Sequence, residues 1–180
     1  MVALWTEDEH RLGLLPVVRP VWAPRGQRPQ ALVVRRFQWN HVYGFVRPDT
    51  GRSWWCLLPT VSLAAMRLAL AAFARDEGID AKHPVALVVD NAGWYRSPQL
   101  VLPPGLHLIF LPPYSPELQP AERLWPLVDE AVASRVFADL SDLEEALVRR
   151  CRTLEAQPDR LHARTHYYWW PVQPVTAFTK

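Results

Sequence analysis

The sequence predicts an α/β domain: a mixed sheet with an antiparallel N-terminal meander, flanked by helices. Three observations predict it. Short strand-like stretches separated by polar turns fill the first half, an Ala- and Leu-rich helical stretch runs from Val61 to Glu77, and two continuous apolar runs follow at Val85–Asp90 and Leu106–Leu111. Continuous apolar runs are the mark of strands buried on both faces, and a helix linking parallel strands is the α/β arrangement.

The elements follow in chain order. The stretch ALWT, then Ala31–Phe37 (ALVVRRF) and His41–Arg47 (HVYGFVR), have the β-branched and aromatic content of strands. Between them Trp22–Pro29 holds two prolines and a glycine, which is turn chemistry with arginines on it. Val61–Glu77 places apolar residues at spacings of three and four, and Gly78 stands where such a helix stops. Pro112–Pro120 has four prolines in nine residues and is read as a shaped loop. Ala121–Val136 and Asp142–Leu154 read as helices, the second with Ser141 as cap and Glu144 three residues on, a capping box. Pro126 cannot donate to the carbonyl of Glu122, so a kink or restart is predicted there.

With 180 residues, 49% of them hydrophobic and 21% charged, the chain has the composition of one folded domain. The net charge is only +2, but nearly all the cationic residues are arginine, with lysine only at Lys82 and Lys180. The planar guanidinium suits phosphate, so the composition permits nucleic acid without requiring it. Cys56 and Cys151 stand apart without metal-ligand spacing, which fits a reducing cytoplasm and argues against a zinc site or a disulfide framework. No run of roughly 18 apolar residues is present to span a bilayer, so no membrane association is expected.

Two carboxylates stand out by their surroundings. Asp90 closes an apolar strand, and the carboxyl ends of strands in open α/β sheets are where ligand-binding groups emerge. Taken alone, Asp90–Asn91 reads more simply as a turn at a strand end. Glu122 follows Pro120, a favoured first-turn residue, and so belongs to the first turn of a helix. By itself it reads as a partner of the helix dipole. Glu7, Asp8 and Glu9 directly follow the first strand and are either a solvated acidic start or the source of a third ligand, for which Asp8 is the choice, with Glu7 and Glu9 as alternatives. Oxygen-only donors of this kind suit Mg²⁺ or Mn²⁺, and two such ions can activate an attacking oxygen and stabilise a leaving one in phosphodiester chemistry.

The segments VVDNAGWYRS and LIFLPPYSPELQPAERLW together resemble the core of mariner-type DDE transposases, above all the bacterial insertion sequence 630 family, and WTEDEHRLGL with VWAPRGQRP resembles that family's first catalytic segment. The resemblance implies an RNase H-like fold with Asp8, Asp90 and Glu122 as a metal-binding triad holding Mg²⁺ or Mn²⁺, two ions in all. It implies cleavage of DNA at transposon ends and strand transfer into target DNA, in the bacterial cytoplasm at the nucleoid. Double-stranded DNA is the implied partner, and the active form is expected to be a homo-oligomer. Alternatives are a general RNase H-like nuclease and a catalytically silent remnant that binds DNA or a partner chain. Candidate nucleic-acid contacts are Arg25, Arg28, Arg96, Tyr114, Ser115 and Arg123. Arg35 and Arg36 are further phosphate candidates, and Tyr167, Tyr168, Trp169 and Trp170 form a candidate stacking surface near Arg164 and His166.

The chain departs from the family pattern at three sites: Gln119 replaces an asparagine that would cap the Glu122 helix, Tyr95 replaces a histidine, and Pro126 interrupts that helix beside the proposed ligand. A loosened helix start is expected from Gln119. Such transposases carry helix-turn-helix modules ahead of the catalytic domain, so residues 1–180 are expected to be a single catalytic domain without the DNA-recognition part, either a truncated product, a separately encoded reading frame or an excised catalytic portion.

Overall fold

The structure, a computed structural model, describes residues 2–17, 22–27 and 36–171. Five strands form one sheet: β1 (Ala3–Gly13), β2 (Trp39–Arg47), β3 (Arg52–Leu58), β4 (Val85–Val89) and β5 (Leu106–Phe110), in the order β3-β2-β1-β4-β5. β1, β2 and β3 are antiparallel neighbours, whereas β4 is parallel to β1 and β5 to β4. The mixed sheet with an antiparallel meander is the predicted one. The third strand of the meander is Arg52–Leu58, which is not among the strands expected from the sequence. Ala31–Arg35 of the predicted strand lies outside the described residues, and Arg36 and Phe37 belong to no strand.

Residue alternation sorts the sheet into two faces. Trp5, Tyr43, Phe45 and Trp54 turn toward α1 (Leu63–Asp76), which buries Met66, Leu70 and Phe73 against them. Phe73 stacks on Phe45 with centroids 4.4 Å apart and meets Trp5 edge-on at 5.0 Å. Ser62 caps α1 by accepting from the amide of Ala65 at 3.2 Å, and Gly78 follows its end with φ +65°, as the predicted helix stop requires. β4 is buried along its whole length, in keeping with its unbroken apolar sequence.

The opposite face carries Leu12, Val42 and Val46 and is covered by the C-terminal half of the chain. There a 3₁₀ turn, Pro120–Leu124, runs into the short helix α2 (Trp125–Asp129), followed by α3 (Leu140–Glu155) and α4 (Pro158–Thr165). The expected helix over Ala121–Val136 therefore begins as 3₁₀ and ends at Asp129. The restart predicted at Pro126 is present: Trp125 donates its amide to the carbonyl of Glu122, an i→i+3 bond, and Pro126 occupies the first turn of α2. α3 begins earlier than predicted, because Asp139 rather than Ser141 is its cap, accepting from the amide of Asp142 at 3.0 Å. α4 was not foreseen. It receives the β2–β3 turn, where Gly51 at φ +71° leaves no room for a side chain against the carbonyl of Pro158.

Among the described residues no helix is long and apolar enough to cross a membrane.

Candidate active site

β1 is longer than ALWT, and the acidic triplet lies inside it rather than after it. Alternation then separates the three acids. Asp8 shares a face with Thr6 and His10 and looks toward the Pro120–Asp129 segment, whereas Glu7 and Glu9 pair with Phe45 and Tyr43 on the α1 face. Glu7 is 1% exposed with neither carboxylate oxygen hydrogen-bonded, which rules out a solvated acidic start.

Register and topology bring the other two candidates to Asp8. Thr6 pairs with Val88 in the parallel ladder, so two residues further on Asp8 and Asp90 are lateral neighbours on one face. Asp90 follows the last residue of β4, and its Oδ1 accepts from the amide of Ala92 at 2.8 Å, the local turn that the sequence suggested. Glu122 comes from the 3₁₀ turn. All three line one open cleft of about 370 Å³ together with Asn91, Tyr114, Ser115 and Gln119.

The cleft is electrostatically tense. Burial, added to the nearby Glu122 and Asp90 carboxylates, pushes Asp8 up to about 7 even though Trp125 Nε1 donates to its Oδ2 at 2.7 Å. Burial and then the charges of Asp8 and Asp90 push Glu9 up to about 8, and Glu7 is raised well above the usual carboxylate range, mainly by burial. Among the described residues no three His, Cys, Asp or Glu side chains are gathered closely enough to hold a metal ion as they stand. Three carboxylates facing one another without a cation repel. An open, oxygen-only rim of this kind fits a hard divalent ion that keeps several waters and adds oxygens from a phosphate.

Gln119 makes no side-chain cap and the segment starts as a 3₁₀ turn, as a poor cap predicts, but the side chain fastens the segment in another way. Its amide is 3% exposed, accepts the hydroxyl proton of Thr6, and donates through Nε2 to the carbonyl of Glu7 at 2.9 Å. The proline loop is thus pinned to β1 from inside, which an end-capping argument could not have found. Asn91 similarly ties strand ends, donating to the carbonyl of Leu111 at 2.5 Å and accepting from Arg96.

The candidate nucleic-acid residues distribute unevenly. Tyr114 is fully exposed at the cleft rim with φ +57°, and Ser115 lines the cleft beside it. Arg123, next to Glu122, donates through Nε to the Tyr167 hydroxyl at 2.8 Å, while Tyr168 is 99% exposed and Trp170 is buried. Arg96 lies over the Phe110 ring at 3.9 Å and gives two donors to Asn91. Arg25 occupies an exposed turn, Arg36 donates to the carbonyl of Ala138, and Arg28 and Arg35 fall outside the described residues. Tyr95, which stands in place of the family's histidine, is buried in the α1-side core. Trp125 and Gly44 were not singled out by the sequence; the only signal was the position of Trp125 three residues after Glu122.

Comparison with known proteins agrees with this architecture. Residues 3–144 match the family of DDE superfamily endonucleases. The uncharacterized protein y4pE/y4sA of Sinorhizobium fredii is 38% identical over 106 residues, 58% of this chain and 77% of that protein. Similar solved structures include the Mos1 strand transfer complex, with TM-score 0.56 and 16% identity over 93% of this chain and 56% of that chain. The Mos1 mariner paired end complex with Mn has TM-score 0.59 and 16% identity over the same shares. A simian T-cell lymphotropic virus intasome has TM-score 0.57 and 13% identity over 98% of this chain and 60% of that chain. The chain thus spans little more than half the length of these structures, and the likeness establishes an RNase H-like fold. By its match over most of its length, the chain belongs to the DDE superfamily endonucleases, consistent with the insertion sequence 630 resemblance.

Proposed function

We propose that this chain is the catalytic part of a transposase, cutting DNA at transposon ends in a metal-dependent reaction and joining the freed 3′ end to target DNA. One observation carries the reading: Asp8 from mid-β1, Asp90 from the end of β4 and Glu122 from the 3₁₀ turn all line a single cleft. The three would hold Mg²⁺ or Mn²⁺, two ions in all. When bound, such ions activate the attacking oxygen and stabilise the leaving one. The Mos1 complexes with Mn and with Mg support the choice of ion by likeness of fold.

The chain's own residues prepare the site. Trp125 holds Asp8, Gln119 ties the Glu122 segment to β1, and Asn91 joins the ends of β4 and β5. Tyr114 and Ser115 border the cleft where a DNA backbone would lie and Arg123 follows Glu122 in the chain, with Arg25 and Arg96 as further contacts and Arg28, outside the described residues, proposed from the sequence alone. Double-stranded DNA as substrate and a homo-oligomeric active form belong to the same proposal.

Asp90→Ala and Glu122→Ala are each expected to abolish Mn²⁺-dependent cleavage of a transposon-end duplex while the circular dichroism spectrum is unchanged. Cleavage at wild-type rate by either variant would refute the assignment. Joining of the cut end to plasmid DNA distinguishes a transposase from a general nuclease.

A further inference from the structure

The segment bearing Glu122 is fastened to β1 on both sides. Gln119, three residues before it, bonds to Thr6 and Glu7; Trp125, three residues after it, bonds to Asp8. We propose that Trp125 is a positioning residue of the metal site, whose indole N–H fixes the orientation in which the Asp8 carboxylate meets a divalent cation. The inference rests on the metal-binding reading of Asp8, Asp90 and Glu122.

Three observations carry it. The indole donates to Asp8 Oδ2 at 2.7 Å from a ring only 6% exposed, so water hardly competes for the bond. Space for the ring is built into the sheet: Gly44 is the residue paired with Asp8, and a Cβ there would stand 2.9 Å from Trp125 Cη2 and 3.1 Å from Trp55 Cζ3. The ring is also held in plane, because His10 stacks on it at 5.0 Å with an interplanar angle of 15°, and His10 Nε2 lies 3.0 Å from Asp129 Oδ1 on the same helix as Trp125.

The chemistry of the donor matters. A lysine or arginine at this place would orient Asp8 equally well but would oppose the cation with its own charge. A neutral N–H orients the carboxylate and leaves its full negative charge for the ion. Partners of this kind behind a ligand typically contribute about 10- to 100-fold in metal affinity.

The test is a Mn²⁺ titration of the full chain by calorimetry, with Trp125→Phe, Gly44→Ala and Asp8→Asn alongside the wild type. Trp125→Phe keeps the stacking and removes the donor, and is expected to weaken Mn²⁺ binding about 10-fold or more. Gly44→Ala, which pushes the intact indole off Asp8, should weaken it in the same direction, and Asp8→Asn should abolish it. The Trp125 indole N–H resonance, identified by its loss in Trp125→Phe, is expected to shift when Mg²⁺ saturates the wild type and to be displaced in Asp8→Asn. Affinity of Trp125→Phe within about twofold of wild type, where the known range is 10- to 100-fold, would overturn the inference while leaving the metal site standing. Undiminished binding by Asp8→Asn would instead overturn the metal-site reading and this inference with it. Should Trp125→Phe and Gly44→Ala both fail to fold, the indole resonance is identified by its displacement in Asp8→Asn, and one that stays put at saturating Mg²⁺ overturns the inference.

Discussion

Gln119 illustrates how far a single residue's meaning depends on its partners. Judged by cap preference it is a poor beginning for the turn that carries Glu122. In the fold no side-chain cap is made at all, and the amide instead satisfies the carbonyl of Glu7 and the hydroxyl of Thr6, itself fully buried. Gln119→Leu retains the volume but leaves both groups unpaired in the interior, a loss of about 1–3 kcal/mol for each unsatisfied group. A lowered urea midpoint is the expected result. An unchanged midpoint would mean that water replaces the amide and that the loop is not pinned through this side chain.

At the scale of elements, α1 and the Pro120–Asp129 segment do different work on the two faces of the sheet. α1 is a packing element: its Phe73 meets Trp5, Phe45 and Trp54 and is completely buried. Phe73→Ala is expected to destabilise the chain by about 3–5 kcal/mol, read from denaturant unfolding, because the surrounding aromatic rings cannot close the cavity. A loss under about 1 kcal/mol would show that the α1 face repacks. The Pro120–Asp129 segment is a delivery element, which carries Glu122 toward Asp8 and Trp125 onto it. Its interruption at Pro126 keeps the first turn 3₁₀, so Glu122 and Trp125 are linked by an i→i+3 bond rather than by a regular α turn.

At the scale of the whole molecule, the site places an electrostatic burden on folding. In the unfolded chain carboxyls ionise near pH 4, whereas in the folded chain Asp8 keeps its proton to about 7, Glu9 to about 8, and Glu7 is raised well above its usual range, mainly by burial. Across that window the folded state binds more protons, so the stability of the metal-free chain falls as pH rises from about 4 toward 8. His41, lowered by burial, acts in the opposite sense as pH drops below its ordinary value. The melting temperature without metal is therefore expected to be lower at pH 8 than at pH 5, and Mn²⁺ should narrow the gap. A flat profile would mean that the acids of β1 ionise freely in the folded state. Much of this molecule was legible in the sequence. The unbroken apolar runs of β4 and β5, the α1 periodicity ended by Gly78 and the restart at Pro126 are local patterns, set by side-chain burial and backbone sterics within a few residues, whereas the three candidate acids were legible only through the resemblance of their surrounding motifs to a known family. β3 was not legible, since adjacent Trp54 and Trp55 face opposite sides and show no alternation until the sheet assigns them. The choice of Asp8 over Glu7 and Glu9 as the acid facing the cleft was decided by the tertiary structure, as were the pinning by Gln119 and the grip of Trp125. Each depends on strand register or on contact between residues more than 100 positions apart, and such contacts exist only once the sheet has formed and the C-terminal half has closed over it.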